Sequence, residues 1–475
     1  MLTDLDFLKT GKPFPPESER KRLEKYRYNR MLFEDDHAEV YREQMRRIER
    51  VIGNFEEIIS YEVIFSFQKL MTLKIADFVC GSHPSITVSD DSKQSLIDKI
   101  IQDTDFYSKL YMSVIDLSRY GDSVMQVSKT KDSKAQISVT SPKYWFPVVD
   151  MNNIKEFAYH AFAWRFVQDA AAKKYGLAVQ IHKPDEPNVC EYHRFELNGT
   201  KGSFRIGKEL TKHHENELET QVDACPVFII SNVPTSDNPF GMDDYSGIDS
   251  IVSELCVRVS QINKVLDQFS SPSMSGPSSI MEWDEQSGSY HLRYGNFFPV
   301  DDGQQKPEMI VWNADLEANF KMIELLINQL YTISEMGSAV FGDITHSTGT
   351  VASGTALRRL MISPLAKARR IAGHYEGVIK QMFSLCAKIY GAVIEPQEIS
   401  IQWHDGLPGD PLEEANIIHL RTGGKATMSR YTAIRHFDSL SESDTDTELA
   451  MIDQDENDEG LGTAAVNEAE SVSVV

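Results

Sequence analysis

The sequence predicts an α+β fold, and three observations carry that prediction. Apolar residues recur three and four apart over long stretches, from about Tyr245 to Phe269, Ala314 to Met336 and Gly354 to Ile389, the spacing that places them on one helix face. From Glu156 to Ile230 the pattern changes to short alternating runs such as EFAYHAFAWRF, GLAVQIH and VCEYHRFEL, separated by Gly, Asn, Asp and Pro clusters, as in an antiparallel sheet. With 475 residues and 41% hydrophobic content, the chain is long enough for two or three packed regions.

Taken in order, Ser18 to Leu73 has no glycine before Gly53, and Leu23, Met31, Leu32, Val40, Ile48 and Val51 supply narrow apolar stripes, which predicts surface helices. Ser85 to Ser89 alternates as a strand, and Ser92 to Tyr120 has helical spacing closed by Gly121. VMQVS, AQISV and YWFPVV follow as strands, with Lys131 and Asp132 at the first turn. Asn198-Gly199-Thr200 reads as a hairpin turn.

The first long helix is predicted to begin near Asp243 and Asp244, whose charges suit a helix N-terminus. It stops at SSPSMSGPSS, where Pro272, Gly276 and Pro277 cannot continue it. A small β-containing insert reaches Asn313, a second long helix follows, and Gly337 to Ser353 is a loop rich in Gly, Ser and Thr. In the third helix Ser363-Pro364 predicts an interior kink. A strand at Ile399 to Trp403 and helices at Pro411 to Leu420 and Ser429 to Phe437 complete the pattern. The tail from about Asp453 is expected to be disordered, because it offers little apolar surface to offset ordering entropy.

Charge narrows the function classes. Lys and Arg number 48 against 71 Asp and Glu, a net charge of −23, which argues against tight binding through counterion release from phosphates. Asp438 to Val475 holds twelve carboxylates and no Lys or Arg, whereas Ala356 to Tyr390 has seven cations and only Glu376. That basic helix is expected to meet neighbouring protein rather than DNA, since Ile371, Val378, Met382 and Phe383 place it in a packed setting. No run approaches the length of a membrane span, and the opening MLTDLDFLKTGKPFPP lacks a basic then apolar leader, which predicts a protein neither secreted nor membrane-bound. The five scattered cysteines suggest buried thiols rather than disulfides or zinc.

The residue spacings that phosphate, calcium, zinc and nucleophile chemistry require are each incomplete. Gly349 and Gly354 sit as in a phosphate loop, but Thr355 stands where lysine is required. DQDENDEG starts like a calcium loop and then has Asp458 where glycine belongs. His213-His214-Glu215 lacks metal-ligand spacing, and GxSxG does not occur. No catalytic, cofactor or metal residue is assigned.

RYGDSVMQVS with SPKYWFPVVD, CPVFIISNV followed by FGMDDYSGIDSIVSELCVRVSQINKVLDQF, SGTALRRLMISPLAKARR and WHDGLPGD occur in this order. Together they resemble the portal proteins of tailed double-stranded-DNA bacteriophages, across about Leu23 to Leu440. The resemblance implies a wing at 18–244, stem helices at 245–269 and 314–336, a clip at 270–313 and a tunnel loop at 337–353. A kinked wing helix with a strand at 354–403, a crown at 404–452 and the acidic tail at 453–475 complete the partition.

It further implies a non-enzymatic ring of twelve subunits at the portal vertex of the virion, assembled in the bacterial cytoplasm. Its expected partners are the terminase large subunit, the head-tail adaptor, the major capsid and scaffolding proteins, and the DNA passing through the channel. Val340, Phe341, Asp343, Thr345, His346, Thr348 and Thr350 are expected to face DNA from the tunnel loop, with Pro364 kinking the supporting helix. Trp283, Tyr290, Arg293, Phe297 and Phe298 are expected to meet terminase or adaptor from the clip. The competing readings are a DNA-processing ATPase or nuclease and a monomeric DNA-binding module.

Overall fold

The computed structural model describes residues 1–36, 40, 63–169, 174–200, 203–211, 217–220, 222–270, 273–275, 281–285, 289–292, 308–310, 316–342, 359–404, 411–423, 426–437 and 444–454. They fall into two units, Met1–Ile344 with Met361–Gly406, and Thr345–Leu360 with Leu407–Val475. Among the described residues no helix is long and apolar enough to cross a membrane.

The first unit opens with strand β1 (Pro13–Phe14) and helix α1 (Glu17–Phe33), followed by α2 (Phe67–Ala76) and the short β2 (Ser85–Thr87). Two helices then stand where one was expected, α3 (Asp91–Thr104) and α4 (Phe106–Tyr120). The Asp90 carboxylate caps α3 by accepting from the Ser92 and Lys93 amides. Asp105 adopts a left-handed conformation, φ 49°, which breaks the run. Gly121 ends α4 with φ 88° and donates its amide to the Leu117 carbonyl. It has a second constraint, because a Cβ there would lie 2.7 Å from the Gly241 carbonyl oxygen. The converse position is tighter, since a Cβ on Gly241 would meet the Gly121 oxygen at 2.1 Å. Two backbones cross here, and only glycine fits at either place.

Strands β3 (Asp122–Lys129), β4 (Ala135–Thr140) and β5 (Trp145–Val149) follow. The alternating region forms β6 (Phe157–Asp169), β7 (Lys174–His182), β8 (Val189–Thr200), β9 (Ser203–Glu209), β10 (Glu217–Glu219) and β11 (Val227–Ser231). One antiparallel sheet runs in the order β1-β9-β8-β7-β6-β5, with β10 on β8, and a second runs β11-β3-β4. Asn198, Gly199 and Thr200 pair with Arg205, Phe204 and Ser203, so the residues expected to form a hairpin turn are instead the last paired residues of β8.

The sequence reading began the fold near Ser18, but the preceding residues are structural. Leu2 bridges Val148 at the β5 edge, and β1 pairs with β9 at the other. Between those anchors Leu2, Phe7, Leu8 and Phe14 are buried with Phe146, Val148, Leu177, Val179 and Phe204. The segment thus closes one sheet face and covers both edges. The larger core lies among α2, α3, α4, β3, β4 and the helices described next, around Met71, Ile97, Phe106, Tyr375 and Phe383.

Helix α5 (Asp249–Ser270) is followed by the short β12 (Ser273–Ser275), β13 (Met281–Asp284), β14 (Ser289–Leu292) and β15 (Glu308–Ile310). Helix α6 (Leu316–Ile333), helix α7 (Ile362–Ile389) and β16 (Ser400–Gln402), which pairs with β2, complete the unit. The second unit holds α8 (Pro411–Thr422), α9 (Arg430–Phe437) and a helix over 444–454, with Ala433 and Thr445 buried. That last helix continues through Asp453 and Gln454, two residues into the segment expected to be disordered.

Candidate functional site

Helices α5 and α6 pack as a hairpin. A Cβ on Gly247 would stand 3.7 Å from Ile333, so the start of α5 adjoins the end of α6 and the two run antiparallel. The base of this hairpin is tied to α1 and α2. Tyr28 on α1 donates to the Asp249 carboxylate at 3.0 Å, and the buried Tyr245 hydroxyl lies 2.8 Å from the Thr72 hydroxyl.

Burial differs between the two helices. On α5 Val252, Leu255, Cys256 and Ile262 are buried, whereas on α6 Leu330 alone is buried among the described residues. Phe320 is 54% exposed and Leu325 53% exposed, and Met322, Ile333 and, on α5, Leu266 are exposed as well. An apolar helix face left open in one subunit demands a covering surface, at roughly 1.5–3 kcal/mol per large side chain buried.

The residues expected at the loop tip separate into two groups. Val340 and Phe341 belong to a short 3-10 turn, Ser338–Phe341, and both pack against the larger core. The Phe341 ring stacks on Tyr331 at 5.3 Å and tilts against Phe67 at 5.0 Å. Both residues are partly buried at the foot of the segment, where Tyr331 and Phe67 cover part of the Phe341 ring. Asp343, Thr345, His346, Thr348 and Thr350 lie outside the described residues.

Pro364 also differs from its expected role. Helix α7 starts at Ile362 with Met361 as its cap, so Pro364 occupies the first turn, where a missing amide donor leaves no intrahelical bond unmade. The interruption falls at Met361 instead of producing an interior kink. Of the expected clip contacts, Trp283 on β13 is 54% exposed and pairs across the ladder with Tyr290 on β14. Arg293, Phe297 and Phe298 lie outside the described residues.

Four of the five Lys and Arg residues of α7 form ion pairs within the chain. Lys367 meets Asp244 at 2.9 Å, Arg370 meets Glu335 at 2.9 Å, Lys380 meets Glu376 at 2.7 Å and Lys388 meets Asp223 at 2.9 Å. The neighbour contacts expected of this helix are thus partly intramolecular. Sequence reasoning missed Asp223, Asp244 and Glu335 as partners, and no local signal links residues so distant in the chain.

The family described as phage portal protein, SPP1 Gp6-like, matches residues 60–460. Among solved structures the chain is similar to one in the virion of the native gene transfer agent particle, at 10% identity and TM-score 0.45, covering 79% of this chain and 90% of that one. It is similar to one in the neck of the native particle computed with C12 symmetry, at 11% identity and TM-score 0.42, covering 77% and 88%. A third is in the neck of the empty particle computed with C6 symmetry, at 10% identity and TM-score 0.46, covering 79% and 90%. No curated protein matches the sequence. With the family match running through both antiparallel sheets, both long helices and α7, the chain belongs to the SPP1 Gp6-like family of phage portal proteins.

Proposed function

We propose that twelve copies of this chain close into a ring at one capsid vertex, with the α5–α6 hairpins side by side around a channel for double-stranded DNA. The observation that carries this reading is the open apolar face of α6 formed by Met322, Leu325 and Ile333, with Phe320 exposed on another side of the same helix. A repeated interface that closes on itself covers such a face in every copy. The sheets and helices before α5 form the wing, the residues between α5 and α6 the clip, and the unit that includes α8 and α9 the crown.

The clip, with Trp283 exposed, is the docking face for the terminase large subunit and then the head-tail adaptor. The segment beyond Gly342 approaches DNA as a tunnel loop, and scaffolding and major capsid proteins meet the outer faces. The ring acts as conduit and docking platform without catalysing a reaction, after assembly in the bacterial cytoplasm. In solution at micromolar concentration the particle mass should be a large multiple of 53.8 kDa. Sedimentation that finds only the monomer at every salt concentration would falsify the ring.

A further inference from the structure

Helix α6 ends in an unusual way. Glu335, just beyond it, holds a left-handed backbone with φ 62°, uncommon for a residue with a side chain. The carbonyls at such a terminus lack helical partners and carry the negative end of the helix dipole. Backbone amides of Ser334, Glu335 and Gly337 serve the Leu330, Thr332 and Tyr331 carbonyls, two side chains from the start of α7 serve two further carbonyls, and a third pairs with the Glu335 carboxylate. Ser363 Oγ donates to the Glu335 carbonyl at 2.9 Å, Lys367 Nζ donates to the Ser334 carbonyl at 3.0 Å, and Arg370 pairs with the Glu335 carboxylate at 2.9 Å. Their spacing of four and then three residues puts them on one face of α7.

Lys367 does more than cap. Its ammonium also meets Asp244 Oδ1 at 2.9 Å, with side chains only 4% and 8% exposed. Asp244 precedes α5 and donates its own amide to the Ser118 carbonyl at the end of α4. Its second carboxylate oxygen is buried and makes no hydrogen bond among the described residues, so the lysine is its compensating charge. One buried cation therefore touches the approach to α5 and the end of α6 from the first turns of α7. The chain leaves this unit after Ile344 and returns at Met361, so the contacts tie a helix end that precedes the departure to a helix start that follows the return.

We propose that Lys367 is a positioning residue, a buried latch that fixes the end of α6 against the start of α7 and so sets both feet of the 345–360 excursion. Ser363 and Arg370 support it from the solvent side. The consequence for DNA passage rests on the tunnel-loop reading above, whereas the latch itself is a property of the isolated chain.

Hydrogen exchange on the full chain tests it. Lys367→Met strands a buried carboxylate and lowers the melting temperature. The double variant Lys367→Met with Asp244→Asn removes that charge and recovers most of the loss, because deleting both partners avoids an unpaired ion. In the double variant the amides of Gly337 to Gly342 and of Leu365 should still exchange at least ~10-fold faster than in the parent, a loss of local protection, while Gly121 keeps its rate. Ser363→Ala with Arg370→Ala, at exposed positions, should accelerate the same amides by roughly threefold, and this pair carries the test if the lysine variants do not fold. Parent-like exchange at both feet in the variants that fold would overturn the latch. A loop deletion that leaves packaging unchanged would instead overturn the tunnel-loop reading and leave the latch standing.

Discussion

His160 and His182 face each other across β6 and β7, and both are held neutral by their surroundings. Burial pushes each imidazole down to about 4, and the neighbouring His182 adds to the effect on His160. The Trp145 indole donates to His160 Nδ1 at 3.3 Å, while His182 Nδ1 is buried without a hydrogen-bond partner among the described residues. An unfolded imidazole titrates near 6.5. Between that value and about 4 the unfolded chain therefore binds protons that the folded sheet refuses, and stability falls as pH falls. From pH 7 to pH 5 the two together should cost roughly 3–4 kcal/mol. Buried Asp116 and Asp122, whose carboxyls burial pushes up, work in the opposite sense. The histidine contribution is isolated by comparing the parent with His160→Asn/His182→Gln in thermal melts across that range. If both proteins lose stability in parallel, the histidines are not responsible.

At the scale of elements, the segment before α1 shows how much one strap contributes. Phe14 is buried in the sheet core, and Phe14→Ala should destabilise the protein by about 3–5 kcal/mol, as large-to-small changes in cores do. Exposed Lys12 lies two residues earlier, and Lys12→Ala should change stability by less than ~0.5 kcal/mol. Urea unfolding of both variants checks the contrast, and equal effects would mean that the strap is only loosely seated. None of this was legible in the sequence, because GKPFPP has no periodicity and its role depends on sheet edges more than a hundred residues away. The long helices were legible, since the 3.6-residue pattern of α5 and α6 survives whatever covers their faces. The split at Asp105 was not, because the apolar spacing continues across it. Phe341 looked like a loop tip for a similar reason: its neighbours are small and polar in sequence, while Tyr331 and Phe67 reach it only in the fold. Pro364 was expected inside a continuous helix, whereas α7 begins at Ile362 and leaves it in the first turn.

For the whole molecule the decisive balance is between shared charge and shared apolar surface. Each chain carries a net charge of −23, so neighbouring copies in a ring repel one another. Four cations of the basic helix cannot relieve this freely, because Lys367, Arg370, Lys380 and Lys388 already meet carboxylates of their own chain. What opposes the repulsion is burial of Phe320, Met322, Leu325, Ile333 and Leu266, all exposed in the single subunit. The screening length shrinks from ~10 Å at 0.1 M salt to ~3 Å at 1 M, which weakens repulsion between exposed charges and leaves apolar burial in place. The assembled fraction at fixed protein concentration should therefore rise as sodium chloride increases from ~0.05 to ~0.5 M. An interface held mainly by ion pairs predicts the reverse. Met322→Glu with Leu325→Glu places two charges on the face that must be covered, so this variant should stay monomeric across the whole series. Sedimentation velocity reads both results, and a parent ring that dissociates with added salt would show that charge pairing, rather than the α6 face, holds the copies together.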